Sequence, residues 1–139
     1  MPDTQIFLPA LAMAGLTFVV WLRMYFARIA EMKRERLHPQ SIATSPQMAA
    51  RLKDTRAAEN FRNLFELPVL FYLALTVAAI SHQVGTPVLI LAWLFVALRV
   101  LHSAIHCSYN KVMHRFPVYL AGGAALWLLW GVLGFGLVH

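Results

Sequence analysis

Two long stretches of this chain carry no charged residue, Thr4 to Leu22 and Phe116 to Val138. Each can cross a bilayer as a helix, for which roughly 20 apolar residues suffice. Two further apolar runs lie between them, from about Ala57 to Ser81 and from Pro87 to about Asn110, both interrupted by polar side chains. The pattern predicts an all-α membrane protein, a four-transmembrane-helix bundle in which residues 1–139 form a single domain.

The punctuation between the runs sets the expected boundaries. Positive charge follows the first apolar run, at Arg23 and Arg28, instead of preceding it, which fits an uncleaved first span and not a signal peptide. That span is expected to end near Ile29 to Glu31 and to continue as an exposed charged helix through Glu31, Lys33, Arg34, Glu35 and Arg36. Pro39 and Pro46 then define the one substantial loop. Pro68, inside the second span, predicts a kink about one turn earlier, near Leu64 and Phe65. Gly85 and Pro87 mark a short turn, and Lys111 to Arg115 is expected to be a second connection before the last span. That last span is glycine-rich, at Gly122, Gly123, Gly131, Gly134 and Gly136, as close helix contact in lipid favours, whether within the chain or between copies.

Composition excludes the alternatives. With 60% hydrophobic and 13% charged residues and a mean hydropathy of +0.62, the chain is too apolar for a soluble domain of 139 residues. The net charge of +6 comes from twelve Lys and Arg that four spans would gather at one membrane face. The positive-inside rule assigns that face to the cytoplasm and both termini to the outside, and it accounts for the charge through membrane lipids without a nucleic-acid partner. Cys107 stands alone, so no intrachain disulfide forms, and its position suits a small buried thiol.

Candidate chemistry concentrates in two polar stripes. Arg56 to Pro68 carries six polar side chains into an apolar run, and Glu59, Asn63 and Glu66, at i, i+4 and i+7, share one helix face. On the third span Arg99, His102 and His106 form a matching face that Tyr109 or Asn110 extends. Arg99 lies about 12 Å from the helix end at a rise of about 1.5 Å per residue. An unpaired charge at that depth costs at least about 2.5–3.5 kcal/mol, so an ion pair between Glu66 and Arg99 is expected. His102 and His106 have the i, i+4 spacing of a metal pair, but no third ligand is spaced with them, and hydrogen-bonding core histidines without metal are the simpler reading. Phosphate loops, nucleophile elbows and CxxC motifs are all missing from the sequence. One basic-sided cluster of Arg, Asn, Glu, His and Tyr remains, suited to a small carboxylate-bearing anion.

These features together resemble the MAPEG family, membrane-associated proteins of eicosanoid and glutathione metabolism. The likeness extends over nearly the whole chain: four spans, a basic first inner loop, and a second span opening with a form of Arg-Ala-x-x-Asn-x-x-Glu-x-x-Pro. Asn63 and Glu66 match the Asn-x-x-Glu element, with Glu59 standing where the family has an arginine. Arg99 matches a family arginine, and His102 and His106 stand where glutathione-binding members show tyrosines. The resemblance implies a homotrimer with glutathione as co-substrate bound between subunits and a lipophilic small molecule as its reaction partner. It makes Arg115 the counterpart of the thiolate-stabilising arginine, with Asn63, Glu66, Arg99, His102, His106, Tyr109, Arg62 and Glu59 around the ligand. Two functions follow as expectations: a glutathione-dependent transferase or peroxidase, or a non-enzymatic membrane trimer binding a lipid-like or other small anionic ligand.

Overall fold

The computed structural model describes residues 3–139. A short 3-10 turn, Asp3–Ile6, leads into α1 (Phe7–Arg34); α2 (Ser45–Arg51) lies in the long loop; α3 (Arg56–Asn63) and α4 (Leu67–Ile80) make the second span; α5 (Thr86–Cys107) and α6 (Val112–Val138) are the third and fourth. Four segments are long and apolar enough to cross a membrane, with α3 and α4 together forming one of them. The protein is an integral, multi-pass helical bundle.

Two ties fix which ends meet. Asp3 Oδ2 lies 2.6 Å from His82 Nδ1, which brings the start of the chain to the α4–α5 turn. At the opposite end Arg23 Nη2 donates to the Cys107 carbonyl at 2.9 Å, and Arg56 Nη1 donates to the Ser108 carbonyl. The last carbonyls of a helix have no intrahelical donor. The two arginines supply donors at the end of α5, where a cation also suits the helix dipole.

The second span breaks where Pro68 predicts it. Leu64, Phe65 and Glu66 leave the α-helix, Glu66 adopts φ −97° and ψ −104°, and Pro68 sits in the first turn of α4, where its missing N–H is not needed. The break redirects the chain. α3 packs against α1 and α5, whereas α4 runs alongside α6, α1 and the N-terminal turn and meets α5 chiefly through the Phe71 and Phe95 rings, stacked 4.4 Å apart. α5 and α6 form the most extensive helix pair. Gly122 lies at that contact, where an added Cβ would touch Leu98 at 3.7 Å. Phe71, Phe95, Leu75, Leu126 and Leu129 fill the core.

Two boundary expectations change. Lys111 to Arg115 is not a connection, because α6 already starts at Val112 and Pro117 is accommodated near its beginning. Arg115 is therefore held on a helix. Glu31 is also not on an exposed helix: it is 3% accessible, and its carboxylate accepts from the backbone N–H groups of Lys53 at 2.5 Å and Asp54 at 3.2 Å. Met13, Val20, Met24 and Glu31 recur at i, i+7, i+11 and i+18 on the buried face of α1, so the glutamate continues the core stripe past the apolar run. It ties the long loop back to the bundle. Within that loop a capping box between Thr44 and Gln47 starts α2, and Ile42 and Leu52 are buried.

Glu31→Ala leaves two backbone donors without their charged acceptor and is expected to cost about 1.5–3 kcal/mol. Faster tryptic cleavage at Arg51 and Lys53 in detergent, with a lower melting temperature, checks it. Asp54 accepts from Arg56 Nε at 2.9 Å and Nη2 at 3.0 Å, and this hydrogen-bonded cation holds its carboxyl below the usual carboxylate range. A depressed folded pKa contributes stability above the unfolded value of about 4 and loses it as pH falls through the folded value. Melting temperature is expected to fall over that acid range, and Asp54→Asn is expected to flatten the slope.

Candidate functional site

The break in the second span opens a cavity. Asn63 and Glu66 at the break, His102 on α5, and Val112, Arg115, Phe116 and Tyr119 on the first turns of α6 enclose about 230 Å³. Arg115 is seated by its neighbour: Nη1 donates to Asn110 Oδ1 at 2.6 Å. Asn110 also ends α5, with φ at 50° and its N–H on the Ile105 carbonyl at 2.8 Å. Asparagine tolerates this left-handed conformation better than most residues, so one residue closes the end of α5 with its backbone and positions the guanidinium with its side chain.

Arg99 is 2% accessible and does not pair with Glu66; among the described residues no ion pair joins them. Its Nη2 donates instead to the Asn63 carbonyl at 3.3 Å, and its Cζ stands 6.0 Å from the centre of the Tyr119 ring. The expected ion pair fails because α4 turns away from α5 at the break. Glu66, on that turn, is left exposed. The Asn63 carbonyl at the end of α3, which also accepts from the Glu66 N–H at 3.2 Å, takes the arginine in its place.

His102 and His106 are both buried, their ring centres 5.7 Å apart. His106 Nδ1 lies 3.5 Å from Asn63 Nδ2, and Nε2 lies 3.5 Å from Glu59 Oε2. A neutral ring protonated on Nε2 makes both contacts donor to acceptor. The shared face of Glu59 and Asn63 thus meets one histidine. His102 lies 5.6 Å from Tyr119, ring to ring, and its Nδ1 is buried with no hydrogen-bond partner, as is Arg99 Nε. Among the described residues no group of three or more His, Cys, Asp and Glu is placed to hold a metal ion.

The remaining sequence candidates lie elsewhere. Tyr109 is exposed and bonds to His114 Nδ1 at 3.1 Å, outside the cavity, because α5 ends at Cys107 and the face it was expected to extend stops there. Arg62 points to the other side of α3, into a pocket shared with Arg28. Sequence reasoning did not single out Tyr119, although it follows Arg115 by four residues and shares its helix face. Asn60, which the alternative frame of the motif would make its asparagine and which the preferred frame sets aside in favour of Asn63, is fully buried, accepts from Ser103 Oγ at 3.2 Å and lies 3.4 Å from Cys107 Sγ.

Comparison with known families decides the relationship: the model of the MAPEG family matches residues 6–135. The chain belongs to the MAPEG family. It is therefore a membrane protein of the family of glutathione and eicosanoid metabolism. No curated protein and no solved structure matches it. In this MAPEG protein the Asn63 to Glu66 element forms the break in the second span and faces Arg115 across the cavity.

An unpaired, exposed Glu66 predicts that Glu66→Gln changes the melting temperature little, within about 0.5 kcal/mol of unfolding free energy. An Arg99–Glu66 ion pair would instead make that substitution strongly destabilising. Thermal unfolding in detergent distinguishes the two.

Proposed function

We propose that this MAPEG protein is a glutathione-dependent transferase or peroxidase that acts on lipophilic electrophiles reaching it from the bilayer. The observation that carries the reading is the Arg115 guanidinium, fixed by Asn110 on the wall of a polar cavity at the membrane boundary. Arg115 and the carboxylate of Glu66 both line that cavity. Arg99 stands behind its wall, against the Asn63 carbonyl and the Tyr119 ring, and His102 Nδ1, on the wall, has no partner of its own. Such a site favours an anion and stabilises one that forms from a thiol.

In this reading Arg115 stabilises the thiolate, while Asn63, Glu66, Arg99 and His102 orient the peptide. The electrophile arrives from the apolar side, where Phe116 is exposed. The cavity is smaller than the roughly 300–1,000 Å³ common for small-molecule sites, which supports a binding site completed by a neighbouring subunit in a homotrimer. The positive-inside rule places the cavity toward the cytoplasm, where the basic loops lie.

The test is the ultraviolet difference spectrum of glutathione added to purified protein. A thiolate band is expected in the wild type and is expected to disappear in Arg115→Ala, with turnover lowered about 10²–10³-fold, the usual consequence of removing one preorganised charge stabiliser. No band in either protein would favour the second function, a non-enzymatic trimer binding a lipid-like or other small anion. Glu59, which brings a carboxylate to the basic end, is the residue that favours that outcome.

A further inference from the structure

The opposite side of α3 carries a second recess. A pocket of about 520 Å³ lies between α1, the long loop and α3, with Arg28, Lys53 and Arg62 on its walls. A second groove, of about 340 Å³, shares Arg28, Ala58 and Arg62 with it and is otherwise lined by Met24, Phe61 and Phe65. Met24 precedes Arg28 by one helical turn on a helix that runs toward the basic end, and Phe65 follows Phe61 into the break between α3 and α4, on a span that runs away from it. The apolar groove therefore descends from the charged pocket into the membrane.

The charges in the upper pocket are unbalanced. Two carboxylates reach it, and both are occupied elsewhere: Asp54 by the Arg56 guanidinium, and Glu59 by the His106 ring. Among the described residues Arg28, Lys53 and Arg62 have no side-chain hydrogen bond or ion pair to a protein group. Three free cations above a groove with an aromatic wall match one kind of molecule, an amphiphile with an anionic head and an acyl tail.

We propose that the α1–α3 face binds an anionic phospholipid, its phosphate among Arg28, Lys53 and Arg62 and one acyl chain against Met24, Phe61 and Phe65. This site is separate from the Arg115 cavity, with α3 between them, and the inference does not depend on glutathione chemistry. Charge selects the head and length of groove selects the tail, so neither part alone reproduces binding. A long chain also distinguishes the lipid from a free phosphate, which has nothing to place beside the phenylalanines.

The experiment is a thermal-shift titration of purified protein in neutral detergent with phosphatidylglycerol, with phosphatidylcholine of the same chains, and with inorganic phosphate. Phosphatidylglycerol is expected to raise the melting temperature in a saturable, salt-sensitive way, and the other two are expected to have little effect. The Arg28→Gln/Arg62→Gln variant is expected to weaken the apparent affinity about 25-fold, about fivefold for each cation removed near an anionic lipid. Arg28→Lys/Arg62→Lys keeps the charge and is expected to retain most of the shift, and Arg115→Ala is expected to retain all of it. Equal shifts from phosphatidylcholine, as from an apolar contact or a second copy seated on this face, would overturn the proposal. So would a full shift from inorganic phosphate alone, competition by millimolar glutathione, or an unchanged titration in the Gln double variant.

Discussion

A guanidinium buried in the membrane-spanning part of the bundle has to find acceptors there, and the way Arg99 finds one shapes everything around it. Among the described residues no carboxylate comes within ion-pairing distance. The acceptor is a backbone carbonyl, that of Asn63, which lies where the second span stops being an α-helix and is shared between the Glu66 N–H at 3.2 Å and the guanidinium at 3.3 Å. A continuous helix would direct that carbonyl along its own axis, toward an N–H one turn further on. Pro68 is thus more than a kink in α4: by ending α3 early it produces the acceptor that makes Arg99 tolerable. The Tyr119 ring, on α6, covers the other side of the guanidinium and joins a third helix to the arrangement.

The same economy holds at the basic end. Read as a topology signal, Arg23 and Arg56 need no partner beyond water and lipid headgroups. In the folded chain they close the exposed carbonyls at the end of α5, while Glu31 closes backbone donors in the loop. Orientation in the membrane and satisfaction of backbone groups draw on the same charged residues. Arg28, Lys53 and Arg62 stand apart because, among the described residues, no side-chain hydrogen bond or ion pair engages them.

Much of the fold was legible because its signals are long and redundant. The four apolar runs, the kink before Pro68 and the turn around Gly85 each follow from local chemistry acting over a few residues, and the helices appear where those rules put them. The polar contacts were less legible for a geometric reason. A kink can be foreseen from proline, but not the direction in which the chain leaves it, and that direction decides that Glu66 faces outward and α4 turns to α6. Tyr109 was misplaced for a related cause, since a helical face was extended past Cys107, where α5 stops. Glu31 was misread because a charge beyond an apolar run resembles a solvated one unless the heptad spacing from Met13 is followed through.

α3 explains how one short helix can border two different recesses. Ala58 and Arg62, at i and i+4, line the groove beside α1; Glu59 and Asn63 repeat that spacing one residue later, rotated by about 100°, toward α5 and α6, and Phe65 and Glu66, in the break after α3, extend the two sides. Two turns of helix separate an arginine-lined groove from an arginine-lined cavity without any shared cation. Glu59 lies at the boundary, with its carboxylate turned to His106 and away from Arg28 and Arg62. An arginine at that position would add to the positive charge of both recesses at once. Glutamate does the opposite: it supplies an acceptor for His106 and leaves the outward-facing arginines available for an anion from outside the chain.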